Sequence, residues 1–433
     1  MNIQTGTLEG RIAVEVERQM PALVADLQSL VRIPSIVGNE AAAMERMKEL
    51  WQEAGLDLEI TRVEPMIDAL REHPGFVDTQ MSYEGRYSYV GVQAGTGGGR
   101  SLILNGHLDV VDPGALDAWT RDPWGAEIEG DLMYGRGAGD MKAGVVANLY
   151  ALKVLAGLGL RPAGDVMLQA VIDEEAGGAG GTLSCLEQGF RADAMIATEP
   201  HPRRITVAHP GVAYFRVRTR GVQAHAAYAH DGVNAMVKMA AIVSALGRLD
   251  VERGESLRHP LIGQGSPRSC HLNVGMCHAG EWPSSVPAEA VIDCRIGFIP
   301  GESLEEIRAL VARTVAEAGA GDAWMEENPA EIEWFGWQTD PWEQDPEASF
   351  VQIVKAEAER VAGETLPING GTGGIDSRFS AYYGMDAVVT GPRAWRMHGT
   401  DEAVSIASIA ETVRILAQSV LAWCGTADGE GRA

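Results

Sequence analysis

Cysteine is scarce: Cys185, Cys270, Cys277, Cys294 and Cys424 are the only five in 433 residues, and no two form a C-x-x-C pair. So small and odd a set, scattered along the chain, excludes a disulfide framework and reads as reduced thiols. Positive charge is also short. Sixty Asp and Glu stand against 35 Lys and Arg, a formal balance of −25, so the summed field repels phosphate backbones and anionic membrane surfaces. Nucleic acid and membrane are therefore not expected as partners. A small-molecule substrate remains open, because a metal ion can carry local positive charge inside a negative protein. No run of 18 apolar residues lacks a charge, and Met1 to Met20 shows no apolar core behind a basic segment. The expected location is the cytoplasm.

What is present is ordinary globular material, 45% hydrophobic and 22% charged, in a chain long enough for two or three domains. Residues 9–33 and 40–54 carry apolar residues at helical spacing, and Gly55 stops the second helix. Ser101 to Asn105 and Asp165 to Ile172 read as short apolar strands, separated by a helix from about Lys142 to Leu158. That order predicts an α/β fold with a mostly parallel sheet and helices on its faces. From Ala213 to Arg220, and again from Ala290 to Ile296, apolar and polar residues alternate, with helices at 234–249 and 304–318. Alternation predicts an antiparallel sheet with one wet face. The expected organisation is a catalytic domain in two parts, 1–210 and 326–433, interrupted by a smaller α+β domain at 211–325. The Gly/Ala/Asp-rich segment Glu317 to Ala323 looks like the linker out of it.

Five short motifs place His, Asp or Glu together with glycine or at the end of an apolar run. In Asn105-Gly-His-Leu-Asp109, His107 and Asp109 stand at i and i+2 and share one side of an extended segment, so Asp109 can take the proton of one imidazole nitrogen while the other binds a metal. In Tyr134 to Gly144 the glycines allow tight turns before a helix, with Asp140 near its start. This is no phosphate cradle, since the spaced Gly-Lys-Ser/Thr of a P-loop is missing. Val171-Ile-Asp-Glu-Glu175 ends a buried run in adjacent carboxylates, which are costly there without a cation. Glu199 in Ala197-Thr-Glu-Pro200 and His398 in Met397 to Glu402 complete the set. Each alone has an ordinary reading as a loop histidine or a helix cap. Together they place ligands where one edge of a parallel sheet converges, and two histidines with several carboxylates suit a pair of divalent ions such as zinc.

These motifs, in this order from about residue 10 to 423, resemble the co-catalytic metallohydrolases that include acetylornithine deacetylase, succinyl-diaminopimelate desuccinylase, the aminoacylases and the glutamate-releasing carboxypeptidases. The resemblance implies that His107 and Glu199 hold one metal, Glu175 and His398 the other, and that Asp140 bridges them through a residue whose bond to Met141 is cis. It further implies that Asp109 orients His107 and that Glu174 is the general base for a hydroxide made available by two ions, with zinc, cobalt or manganese as the metal. Residues 211–325 resemble the family's lid and dimerisation domain. On that likeness the protein is a homodimer, His225 acts on the partner's site as an oxyanion donor, and Arg295 with Ser284 binds substrate. Two positions depart from the family pattern: Ala229 replaces a proline and Ser284 an asparagine, and both touch substrate recognition rather than metal chemistry.

The activity expected is hydrolysis of an N-acyl amide of an amino acid or related small molecule. Alternatives are a dipeptidase or carboxypeptidase, an aminohydrolase acting on an unusual amine, and a non-catalytic metal-binding protein, which the intact Glu174 disfavours. Trp282, Arg393, Trp395 and Arg396 are further candidates for the pocket wall.

Overall fold

The two opening helices form where apolar spacing puts them, at Leu8–Val31 and Ala41–Glu53 in the computed structural model, which describes residues 6–263, 268–371 and 373–426. Thr7 caps the first by accepting the Gly10 N–H, and Gly55, at φ +69°, ends the second. Their inner faces bury Ile12, Leu23, Leu27 and Leu30, and Met44, Met47 and Trp51, in one shared core.

The apolar strand signals build the heart of a nine-stranded sheet. Four neighbouring strands, Val166–Val171, Leu102–His107, Ala194–Ala197 and Asp386–Val389, run parallel. Every residue of Leu102–His107 is buried, as expected of a parallel strand covered on both faces. The flanks are antiparallel: Ser88–Gln93 and Glu59–Val63 on one side, Ile205–His209 and Trp342–Glu343 on the other. Helix Ala143–Gly157 is buried around almost its whole circumference. Helix Ile406–Cys424 is long and apolar enough to cross a membrane, but 72% of that apolar stretch is buried inside the protein, where it packs on the first helix as a core element.

The alternating segments form a separate four-stranded antiparallel sheet in the order Leu272–Ala279, Glu289–Phe298, Gly211–Arg220, Glu331–Thr339. Helices Ala235–Ser256 and Leu304–Gly319 cover one face. The boundary expected at 325 falls inside the short helix Ala323–Glu327, and the fourth strand lies beyond it, so this sheet uses the chain from 211 to 339. Ile332 and Trp334 join the small domain's core, which is why the strand belongs there. Glu317 to Ala323 is likewise no linker: it is the end of one helix and the Asp322 cap of the next, whose small and acidic residues mimic linker composition.

A third, small sheet pairs Ala394–Trp395, Ala403–Ser405, Leu132–Tyr134 and Glu127–Glu129. It joins two segments distant in sequence, and both lead into the candidate site.

Candidate metal centre

The parallel strands deliver their next residues to one edge. His107 closes its strand, and Glu174 and Glu175 follow Val166–Val171 through a turn in which Asp173 takes φ +74°. Glu199 lies two residues past Ala194–Ala197, and His398 sits in the loop between Ala394–Trp395 and Ala403–Ser405 of the small third sheet. Ligands gathered outside the carboxyl ends of neighbouring parallel strands are the general solution of open α/β sheets. Asp140 also arrives from the small third sheet, through left-handed Gly137, and its peptide bond to Met141 is cis.

Asp140 stands between the two imidazoles. Its Oδ1 lies 3.4 Å from His107 Nε2 and its Oδ2 lies 3.4 Å from His398 Nε2. Around His107 Nε2 are also Glu199 Oε1 at 3.6 Å and Glu174 Oε2 at 3.8 Å, and Glu175 Oε2 is 3.0 Å from His398 Nε2. Two sets, His107 with Glu174 and Glu199, and His107 with Asp140 and Glu175, each offer ligand atoms within 4.8 Å of one another.

This crowd of carboxylates is under electrostatic stress. Burial, reinforced by neighbouring acids and opposed by His107, holds Glu174 and Glu199 well above the usual carboxylate range. Burial raises the Asp140 carboxyl, but the His107 and His398 imidazoles beside it outweigh that and hold it below the usual range. The His398 imidazole is pushed up to about 10 by Asp140 and Glu175. His107 Nε2 is buried without any hydrogen-bond partner. An orphaned imidazole nitrogen among desolvated carboxylates is a donor set that divalent cations satisfy, so the residues fit the group.

Asp109 behaves differently from the expectation. Its carboxylate is 3.6 Å from His107 Nδ1, whereas its backbone carbonyl is 2.8 Å away and accepts the Nδ1 proton. That leaves the Nε2 lone pair for a metal. The carboxylate, buried and pushed up to about 8, instead accepts the backbone N–H groups of Glu174 at 3.3 Å and Glu175 at 3.1 Å. The chain turns after His107, which brings the carbonyl rather than the side chain to the imidazole, so Asp109 orients the histidine through its backbone and the Glu174–Glu175 turn through its side chain.

A cavity of about 420 Å³ opens over these groups and is lined from the small domain by Tyr214, Arg295 and Trp337. Arg295, expected to bind substrate, is among these lining residues. His225 and Ser284 are exposed on the small domain, where the Ser284 carbonyl accepts the Ala226 N–H, and neither lines the cavity of its own chain. Trp282, Arg393, Trp395 and Arg396 do not line it either; neighbouring Met397 does. Three wall residues went unnoticed in the sequence. Trp337 and Tyr214 lie on strands whose alternation was the available signal. His201, two residues past Glu199, had none. His201 Nδ1 is 2.7 Å from Thr206 Oγ1, whose own proton goes to Asn369 Oδ1, so Nδ1 is the donor and Nε2 is left as an acceptor. Burial, helped by Arg204, pushes this imidazole down to about 3 and keeps it neutral.

Histidines and carboxylates at the carboxyl edge of a parallel sheet, roofed by a second domain, define a metal-dependent hydrolase. Residues 103–422 match the model of peptidase family M20/M25/M40, and the chain belongs to that family. It is 26% identical to an N-formyl-4-amino-5-aminomethyl-2-methylpyrimidine deformylase of Halalkalibacterium halodurans, over 95% of this chain and 97% of the relative. It is 29% identical to a succinyl-diaminopimelate desuccinylase of Rhodopseudomonas palustris, over 90% and 94%. Among solved structures, a Bacillus subtilis protein described as a dinuclear metal binding peptidase of the M20 family superposes with a TM-score of 0.65 at 14% identity, over 95% of this chain and 99% of that one. The chain is a metal-dependent hydrolase of amide-type C–N bonds.

Proposed function

We propose that the chain removes an acyl group from the nitrogen of a small amine or amino acid with two divalent cations bound. The observation that carries this reading is Asp140, whose two oxygens each face a different imidazole at 3.4 Å. In this assignment His107 and Glu199 would hold one ion and Glu175 and His398 the other, with Asp140 shared between them. The mixed nitrogen and oxygen donors suit zinc, with cobalt or manganese as substitutes. When bound, such ions act as Lewis acids on the amide carbonyl and lower the pKa of water from about 15.7 toward 7.

The chain's own residues do the rest. Glu174 takes the proton of the attacking water on its carboxylate and hands it to the leaving nitrogen. The Arg295 side chain makes no hydrogen bond or ion pair among the described residues, so its guanidinium is available to a negative group of the substrate. The His201 Nε2 lone pair accepts a substrate N–H or O–H, and Trp337, fixed by donating from Nε1 to Thr339 Oγ1 at 2.9 Å, forms a flat wall. An N-acyl substrate is supported by relatives named a deformylase and a desuccinylase.

The reading includes a homodimer through the small domain. Its support is the edge strand Leu272–Ala279 and the exposed Met236, Val237 and Met276 beside it. His225 Nδ1 accepts the Ala227 N–H at 3.0 Å, which puts the ring proton on Nε2, and an exposed donor away from its own cavity suits a role at the partner's site. The five unpaired thiols suit a cytoplasmic location. The test is a hydrolysis screen of the zinc, manganese and cobalt forms against N-formyl amines, N-succinyl amino acids and dipeptides. Cleavage of the N-acyl compounds is expected; cleavage of dipeptides alone would make it a peptidase, and no hydrolysis in any metal form would overturn the reading.

A further inference from the structure

Arg136 and Glu402 form an ion pair that neither touches the cavity nor reaches solvent. Arg136 Nη1 lies 2.6 Å from Glu402 Oε2, and the two side chains are 2% and 1% exposed. The remaining bonds lead to both sides of the metal centre. Glu402 Oε1 accepts the N–H of Gly139 at 3.0 Å and of Asp140 at 3.1 Å. Arg136 Nη2 donates to the carbonyl of Gly399, the residue after His398, at 3.0 Å. The pair is held in register by the adjoining strands Leu132–Tyr134 and Ala403–Ser405 and by the Gly135 N–H on the Glu402 carbonyl at 2.9 Å.

We infer that this pair is a clamp that positions Asp140 and His398 relative to each other, so that the ligand pair shared across the two loops exists before a cation arrives. The inference rests on the two-ion reading above. A buried ion pair is weak evidence of stability, because apolar residues of similar volume often serve as well. Apolar residues cannot, however, accept two backbone N–H groups from the Asp140 turn or donate to the carbonyl beside His398. The two loops lie more than 250 residues apart in sequence, at 136–140 and 398–402, and the sheet between them is only two to three residues long per strand. Outer groups that orient ligands typically change metal affinity about 10–100-fold when removed. Arg136 and Glu402 are therefore positioning residues, acting through Asp140 and His398.

The test titrates zinc and manganese into the metal-free full chain by calorimetry, with the metal-free thermal midpoint recorded in parallel. Glu402→Asp keeps the buried charge pair but draws the carboxylate back by one methylene from the Gly139 and Asp140 N–H groups. It should hold the wild-type midpoint and weaken at least one ion by about 10–100-fold. Arg136→Met with Glu402→Gln removes both charges but leaves an amide oxygen for the two N–H groups, and should recover most of the affinity. Arg136→Met with Glu402→Met should not. Wild-type affinity in both Glu402→Asp and the double Met variant overturns the clamp. So does loss of affinity that tracks a fall in the metal-free midpoint across all three, which would assign the pair to folding alone. A wild-type chain that takes up no ion overturns the two-ion reading and this inference with it, and is told apart by the wild-type trace.

Discussion

Glu174 and Glu175 leave one turn in different directions, toward His107 and toward His398, because Asp109 fixes the backbone N–H of each. Their substitutions should separate accordingly. Glu174→Gln keeps the metal content, measured by elemental analysis, while turnover falls by about 10²–10⁴, since an amide cannot accept the water's proton. Glu175→Ala lowers the metal content itself. Equal metal loss in both variants would make Glu174 a ligand. Arg295→Leu should raise KM for an anionic substrate with little change in kcat, as expected when binding common to ground and transition states is lost. At this scale the motifs pointed to the histidines and carboxylates that cluster here, but not to the backbone carbonyl of Asp109 or the Nε2 acceptor of His201. Both depend on how the chain turns after a strand, and no residue type encodes that.

Among the elements, strand Ile205–His209 carries a titratable group at its buried end. His209 sits with its ring 5.6 Å from that of Trp342, and burial pushes its pKa down to about 4 from the ordinary 6.5. The unfolded chain binds a proton near 6.5 that the folded chain refuses until about 4. Stability from this group is therefore complete above pH 6.5 and is lost as pH falls through that window, by about 3 kcal/mol at ~1.4 kcal/mol per unit. Unfolding free energies of the wild type and His209→Gln, compared from pH 7 to 4, should shift by that amount in favour of the variant. Parallel curves would mean that the folded protein binds the proton as readily as the unfolded chain. Helices such as Leu8–Val31 and Ala41–Glu53 were legible from apolar spacing, whereas helix Ile406–Cys424 and edge strands such as Glu59–Val63 were not. Five residues with mixed exposure leave too short a pattern to distinguish from a loop.

At the scale of the whole molecule the proposed homodimer can be tested. Val237, 62% exposed on helix Ala235–Ser256, belongs to the apolar face proposed for the dimer interface. Val237→Glu should yield monomers by sedimentation that still bind metal but turn over slowly, because His225 no longer reaches a second cavity. His225→Ala should remain dimeric, keep its metal and lose about 10²–10³ in kcat, the usual cost of one oxyanion donor. Mixing His225→Ala chains with Glu174→Gln chains should restore activity, since one of the two sites then has both groups intact. Verified heterodimers without recovered activity would place His225 outside the reaction.

The sequence by itself determined the elements and the chemistry. Apolar runs and helical spacing follow from local patterning, and carboxylates at the ends of buried strands are too costly to lack a purpose. Only the tertiary structure decided which of these groups meet. Asp140 and His398 come together through a sheet of two- and three-residue strands too short to leave a periodic signal, and Trp337 reaches the cavity from a strand that lies past the boundary expected at 325. The Arg136–Glu402 pair was in plain view inside two of the motifs, yet its purpose appears only when the two loops are side by side. Contacts between residues hundreds of positions apart are set by strand order and packing, and composition carries no record of either.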